Sequence, residues 1–230
     1  MSGRRDFPEA FLWGAATAAR QVEGGNVGTD WWDWEHRPGS PAVESSGDGI
    51  DQWHRWEDDV ALLAGLGHSE HRFSVEWSRL EPAPGEWSAA SFGHYRRVLE
   101  GVRSAGLTPF VTLQHFTLPR WLADAGGWLA PDAVDRFAGL SARVAEQLGD
   151  LVPWFCTINE PNVLSRYGYE LGLFPPGRTE PEAADRVTER LVSAHEASVE
   201  VLRSVRPAAL VGLTLALASL QPARPDAECA

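Results

Sequence analysis

The sequence predicts an α/β fold, an incomplete TIM (β/α)8 barrel with about the first five strands and four helices. The main observation is that short apolar runs of strand length alternate with longer segments of helical period. A second observation is that the last apolar run is followed by a polar, proline-rich stretch and not by another helix. A third is that the sequence lacks the glycine-rich phosphate turn of a doubly wound sheet.

The predicted elements follow from the apolar periodicity. Apolar runs predict strands at residues 11–17, 71–77, 107–115, 154–160 and 209–217. Helical spacing predicts helices near residues 50–65, 89–105, 132–148 and 182–205, with a long Trp-rich loop before the first of them. A complete barrel needs about 250 residues or more. We therefore expect residues 1–218 to be the N-terminal part of a single barrel and residues 219–230 a truncated loop or tail.

Composition excludes several classes of partner. The chain of 230 residues has a formal net charge of −12 and no basic cluster, which argues against nucleic acid. No apolar stretch is long enough to span a membrane, and charged residues interrupt the apolar N-terminal stretch, so we expect a cytoplasmic protein. The 11 tryptophans favour a large core, and their flat faces would also suit sugar rings. The two cysteines have no metal-site or disulfide spacing.

The most informative segment is WFCTINEP at residues 154–161. Asn159 and Glu160 stand at the carboxyl end of the fourth predicted strand, which is the edge of a barrel where catalytic side chains reach a substrate. Glu160 alone could simply end a strand and bind water. An amide beside a carboxylic acid, however, can bind the sugar hydroxyl next to a reacting anomeric carbon. The pair therefore favours chemistry on a glycoside.

The chain resembles glycoside hydrolase family 1 in several motifs that occur in the family's order. TINEP at 157–161 resembles the family's acid/base motif T-x-N-E-P. FPEAFLWGAATAARQVEGG at 7–25, RFSVEWSRLEP at 72–82 and LQHFTLPRWL at 113–122 resemble its first three strand segments, and GGW at 126–128 and PPG at 175–177 also match. The resemblance covers nearly the whole chain and only the N-terminal half of the family.

The resemblance implies a retaining β-glycosidase, an O-glycosyl hydrolase of the β-glucosidase type that acts on terminal β-linked glycosides. It implies that Glu160 is the general acid/base and that Asn159 binds the 2-hydroxyl of the sugar. It also implies that the reaction needs no cofactor, and the sequence itself has no metal-ligand spacing.

Three further residues receive roles from the same resemblance. Gln21 and His115 would bind other hydroxyls of the glycone, and Arg72 would orient the nucleophile and keep it ionised. Each also has a simpler interpretation. Gln21 could be a loop residue that bonds to the backbone, His115 could bond to a carbonyl group, and Arg72 could form an interior ion pair with Glu76.

Two departures from the family pattern bear on specificity and mechanism. Phe116 and Thr117 stand where the commonest pattern has Trp and Asp, so the preferred glycone stays open. We expect Trp31, Trp32 and Trp34 in the DWWDWEH stretch to pack the loop, although they could line the aglycone side.

The second departure is the nucleophile, because no T-E-N-G segment occurs in the sequence. Retaining hydrolysis needs two carboxyl groups roughly 5–5.5 Å apart. We therefore expect the chain alone to be an inactive fragment that self-associates or pairs with a complementary C-terminal half. One alternative is a non-catalytic sugar-binding half barrel, and a third hypothesis is an unrelated barrel enzyme such as an isomerase.

Overall fold

The computed structural model describes residues 7–218. Five parallel strands form one sheet in the order of the sequence, which confirms the predicted α/β architecture. The strands are β1 (Gly14–Ala16), β2 (Glu70–Ser74), β3 (Thr108–Gln114), β4 (Trp154–Asn159) and β5 (Leu210–Thr214). Because all five run in one direction, their carboxyl ends lie along one edge of the sheet, which is the edge that carries the predicted site residues.

Four long helices connect the strands as expected, and short helical segments lie in the loops between them. The α-helices are α1 (Ala19–Val22), α2 (Asp30–His36), α3 (Gln52–Gly65), α4 (Trp77–Leu80), α5 (Ala89–Ser104), α6 (Arg120–Asp124), α7 (Ala133–Leu148), α8 (Pro161–Ser165) and α9 (Pro181–Val205). A 3-10 turn covers Gly127–Leu129, and a π-helical turn covers Arg166–Glu170. No helix in residues 7–218 is long and apolar enough to cross a membrane.

The prediction that the second strand extends to residue 77 is wrong. β2 ends at Ser74, because the Glu76 side chain accepts a hydrogen bond from the Ser78 backbone N–H at 3.2 Å and so caps α4. The Trp-rich segment after β1 also differs from the expected loop. It contains the helix α2, whose first turn is capped by Thr29 through the Trp32 backbone N–H.

The core lies between the sheet and the helices α5, α7 and α9. α7 is typical of them, since Phe137, Leu140, Val144 and Leu148 recur at helical spacing and are fully buried. The sheet is open within the described residues, where β1 and β5 each pair with a single strand. The core therefore holds the strand ends in fixed positions.

Candidate active site

Asn159 is the central residue of the candidate site, and two neighbours hold its amide oxygen. The Arg72 guanidinium donates to Asn159 Oδ1 from Nη2 at 2.6 Å, and the Thr214 hydroxyl donates to the same oxygen at 3.0 Å. Arg72 is itself fixed by a 2.9 Å bond from Nε to the Thr112 hydroxyl. Because Asn159 Oδ1 accepts both of these hydrogen bonds, the orientation of the amide is fixed. Its NH2 group is then the donor that a ligand would meet.

A bulge in β4 brings Asn159 to Arg72. Cys156 pairs with Gly212 and Asn159 pairs with Thr214, so β4 contains one residue more than β5 over this stretch. Side chains three residues apart point to opposite faces of a regular strand. Here both face Arg72, whose Nη2 lies 3.6 Å from Cys156 Sγ as well as 2.6 Å from Asn159 Oδ1.

Glu160 is held at the point where β4 becomes α8. Its backbone N–H donates to the Thr214 carbonyl at 3.0 Å, and its carbonyl accepts from Val163 and Leu164. Its φ of 48° lies in the left-handed region, which costs a residue with a side chain roughly 1–2 kcal/mol. Strain of this kind occurs preferentially at functional sites. The half-buried Glu160 side chain is therefore held by a rigid backbone at the carboxyl end of β4.

Gln21 and His115 lie together on a small cavity of about 70 Å³. Gln21 is exposed and belongs to α1, so it is not the loop residue of the simpler interpretation. His115 Nδ1 is buried without a hydrogen-bond partner in residues 7–218, so no described carbonyl group holds it. Burial, with a smaller contribution from the charge of Arg72, lowers the pKa of His115 to about 4. The imidazole is therefore neutral near neutral pH.

Aromatic side chains form the rest of this cavity. Trp31 contacts Phe174 edge-on with ring centroids 4.8 Å apart, and Phe174 contacts Phe116 at 5.5 Å. The Arg20 guanidinium lies 4.1 Å from the centre of the Trp31 ring. Phe116 has a φ of 71°, so like Glu160 it is a strained residue just beyond the end of a strand, two residues after β3. Trp31 therefore lines the candidate site, whereas Trp34 is buried as the packing hypothesis expects.

The structure does not contain the ion pair between Arg72 and Glu76. β2 ends before Glu76, so the alternation that would place both side chains on one face stops short of it. Glu76 instead accepts from the Thr117 hydroxyl at 3.0 Å and from Ser78. Burial raises the pKa of the Glu76 carboxyl. Its bonds to Thr117 and Ser78 make it a structural residue between β2 and β3.

The predicted site residues thus form two groups. Arg72 and Asn159 are in contact, with Glu160 next in the chain, and Gln21 shares a cavity with His115. No hydrogen bond within residues 7–218 joins the two groups. In the same part of the chain no cluster of His, Cys, Asp or Glu could hold a metal ion.

Sequence reasoning missed Thr214, Phe174 and Arg20. Thr214 ends β5 as Asn159 ends β4, so the strand repeat could have indicated it. Arg20 precedes Gln21, but its contact with Trp31 depends on how the loop folds back. Phe174 comes from the segment after α8, and nothing in its local sequence predicts that it would close the cavity.

Comparison with known proteins identifies the family of the chain. The model of the family described as Glycosyl hydrolase family 1 matches residues 3–230. The chain belongs to glycosyl hydrolase family 1. Relatives in family 1 include thermostable beta-glucosidase B of Thermobispora bispora, 40% identical over 97% of the chain and 47% of the relative. They also include the human cytosolic beta-glucosidase, 36% identical over 96% of the chain and 50% of the relative.

The family 1 fold is also found in solved structures. The family 1 β-glucosidase of Thermotoga maritima superposes with a TM-score of 0.90 at 33% identity, over 96% of this chain and 52% of that one. The neighbours are TIM barrels, and the open five-stranded sheet corresponds to part of one. The chain spans about half the length of the family 1 relatives that it matches.

Proposed function

We propose that this chain supplies the acid/base half of a retaining β-glycosidase that hydrolyses terminal β-linked glycosides. Glu160 gives its proton to the glycosidic oxygen while the bond from that oxygen to the anomeric carbon breaks and a carboxylate nucleophile bonds to the same carbon. Water then displaces the carboxylate, and Glu160 takes the proton of that water. The chain is the N-terminal part of a single barrel, and the nucleophile comes from the other part.

The observation that carries the proposal is the bond from Arg72 to Asn159 beside Glu160. It leaves the amide NH2 group of Asn159 as a fixed donor for the 2-hydroxyl of the sugar, a contact that strengthens as the oxocarbenium ion forms. Arg72 would also hold a fixed positive charge near the nucleophile. Gln21 and the neutral His115 bind the other hydroxyls of the glycone, since an uncharged imidazole can both donate and accept a hydrogen bond.

Two buried carboxyl groups on the segments that carry the site have other partners. Glu76 caps α4, and Glu23 accepts from the Tyr95 hydroxyl at 2.8 Å and pairs with Arg79 at 2.9 Å. Neither is free to attack an anomeric carbon. We therefore propose that the isolated chain is inactive and that a complementary C-terminal half restores turnover.

A second candidate function is sugar binding without hydrolysis. The contact between Arg72 and Asn159 and the cavity of Gln21 and His115 need no residue from outside this chain. Such a protein would bind a methyl β-glycoside but would not turn over any glycoside, even with a C-terminal half present.

The deciding experiment measures hydrolysis of aryl β-glucosides by the chain alone and by the chain mixed with the C-terminal half of a family 1 β-glucosidase. We expect turnover only in the mixture. Glu160→Gln should lose more activity on p-nitrophenyl glucoside than on the 2,4-dinitrophenyl glucoside, because the better leaving group needs less protonation. Glu182→Gln, an exposed change at the start of α9, is the matched control. Turnover by the chain alone would show that one of its own carboxylates is the nucleophile.

We further propose a cytoplasmic location, supported by the family 1 relative named as the human cytosolic beta-glucosidase. Fractionation of cells that express the tagged protein tests it. Recovery of the protein in a secreted or membrane fraction would contradict it.

A further inference from the structure

One residue of β5, Thr214, bonds to both residues that carry the proposed chemistry at the end of β4. Its hydroxyl donates to Asn159 Oδ1 at 3.0 Å, and its backbone carbonyl accepts from the Glu160 N–H at 3.0 Å. The two bonds use different atoms of Thr214, so a change of side chain removes only the first of them. The role of the hydroxyl can therefore be tested while Glu160 keeps its backbone contact.

The bulge in β4 determines that Thr214 makes this contact. Cys156 pairs with Gly212. An uninterrupted register would therefore place Asn159, three residues further along β4, opposite Leu215. Leucine has no side-chain donor. The shift by one residue places the hydroxyl of Thr214 beside the Asn159 amide instead.

The amide of Asn159 is held from both sides of β4. The order of the sheet places β2 and β5 on opposite sides of β4, and Arg72 comes from β2 whereas Thr214 comes from β5. A guanidinium can only donate, so the amide atom that faces Arg72 is the oxygen. The terminal torsion of asparagine is broad when it is not constrained. The second bond, from Thr214, therefore opposes rotation of the amide about the contact with Arg72.

The Thr214 hydroxyl has one strong acceptor among its described neighbours. Asn159 Oδ1 lies 3.0 Å away, whereas Cys156 Sγ lies 3.9 Å away. Sulfur is a weak acceptor. The hydroxyl hydrogen of Thr214 is therefore directed at the Asn159 amide.

We propose that Thr214 is a positioning residue for the contact with the 2-hydroxyl of the sugar. Its hydroxyl fixes the Asn159 amide so that the NH2 group points to the hydroxyl next to the anomeric carbon. Thr214 acts through Asn159 and does not touch the substrate. The inference rests on the proposed function for the identity of the sugar hydroxyl.

The first test compares Thr214→Val with the wild-type chain, each mixed with a family 1 C-terminal half, on p-nitrophenyl β-D-glucoside and on its 2-deoxy analogue. We expect kcat/KM on the glucoside to fall roughly fivefold, since one neutral hydrogen bond is lost. On the 2-deoxy substrate kcat/KM should not change, because that sugar has no 2-hydroxyl to bind. Thr214→Ser should restore the value on the glucoside, because serine keeps the hydroxyl.

Thr157→Val is the matched control, because it removes a hydroxyl from β4 that faces away from the site. The Thr157 hydroxyl lies 2.7 Å from His195 Nδ1 and donates to the Gly212 carbonyl at 3.3 Å. A purely structural loss lowers turnover of both substrates by the same factor, and we expect this of Thr157→Val. An equal loss on both substrates in Thr214→Val would overturn the proposal.

A second measurement needs no turnover. The Asn159 side-chain NH2 signals of the chain alone, labelled with nitrogen-15 asparagine and assigned with Asn159→Ala, report the mobility of the amide. Their order parameter should fall from about 0.85 in the wild type to below about 0.6 in Thr214→Val. An order parameter that Thr214→Val leaves unchanged would overturn the proposal even if the mixture is active. If the mixture is inactive and the order parameter still falls, the proposed function fails and the positioning by Thr214 stands.

Discussion

Arg72 determines how Asn159 is presented, because a single guanidinium reaches Thr112, Cys156 and Asn159 at once. This contact depends on the planar fork of arginine. A lysine at the same position would keep the charge and lose the fixed geometry. The orientation of the Asn159 amide is thus a property of one side chain on a neighbouring strand.

Arg72→Lys tests this role at the residue scale. We expect the affinity for methyl β-D-glucopyranoside to fall roughly tenfold, because the amide of Asn159 becomes free to rotate. Calorimetric titration measures the affinity. Arg97→Lys, an exposed change on α5, should leave it unchanged. Equal binding by Arg72→Lys would show that Asn159 needs no orientation by arginine.

Asp30 gives a second prediction at this scale, on the pH dependence of stability. Burial raises the pKa of the Asp30 carboxyl to about 7, although the Leu118 and Trp31 backbone N–H groups, 2.9 and 2.8 Å away, act in the opposite direction. The folded state then keeps a proton that the unfolded state releases near its ordinary pKa of about 3.9. The contribution of Asp30 to stability is therefore fully present below pH ~4 and is lost as the pH rises to ~7.

Asp30→Asn should make this fall smaller, because the amide cannot ionise and its oxygen can accept the same two bonds. Each unit of difference in pKa is worth about 1.4 kcal/mol. Burial also raises the pKa of Glu23 to about 7. The Asp30→Asn variant should therefore still lose some stability as the pH rises, because Glu23 is still present. Melting temperatures between pH 4 and 8 measure it, with the exposed Asp185→Asn as control. Parallel curves for wild type and Asp30→Asn would contradict the prediction.

Helix α5 shows how an element depends on its neighbour, through two glycines in different surroundings. A methyl group on Gly101 would collide with the Trp56 ring of α3, whereas one on Gly93 would meet only the end of the Arg97 side chain at 3.8 Å. Gly101 therefore permits the close approach of α3 and α5, and Gly93 has no such role.

Gly101→Ala should destabilise the fold by about 1–3 kcal/mol through overpacking. The higher helix propensity of alanine offsets part of this loss. Gly93→Ala should stabilise it by about 0.5–1 kcal/mol, since alanine restricts the unfolded chain without contact. Urea denaturation monitored by circular dichroism measures both. If both variants moved in the same direction, the contact between Trp56 and Gly101 would not control the packing of the two helices.

At the scale of the whole molecule, the unpaired edges of the open sheet favour association with another chain. Large apolar side chains are exposed at both of its edges, with Trp13 at 53% just before β1 and Leu210 at 64% in β5. Unpaired strand edges with exposed apolar residues favour association with another chain. The family 1 relatives are about twice as long, so their remaining residues are the natural cover for these edges.

We therefore expect the chain alone to self-associate as its concentration rises, and to form a defined complex when a family 1 C-terminal half is added. Sedimentation velocity measures both effects. Leu210→Glu should reduce self-association, whereas Leu62→Glu, an exposed position on α3 away from the edges, should not. A chain that remains monomeric at every concentration and does not bind the C-terminal half would contradict this account.

The sequence by itself determined the parallel α/β order, the four long helices and the family. These features follow from apolar periodicity and from motifs that are local in the chain. They can therefore be predicted without knowing which residues are neighbours in space. The same reasoning placed Asn159 and Glu160 at a strand end, although their roles stay predictions. It could not place the end of β2, because Glu76 leaves the strand to cap α4 through its own side chain.

Only the tertiary structure decided which side chains meet. Arg72 binds Asn159 and not Glu76, because β2 ends early and a bulge in β4 turns Cys156 and Asn159 toward the same face. The raised pKa of Asp30 and the cavity beside Phe116 likewise arise where loops from separate strands close over one another. The physical reason is that register, bulges and burial depend on contacts between residues far apart in the chain, which no local pattern encodes.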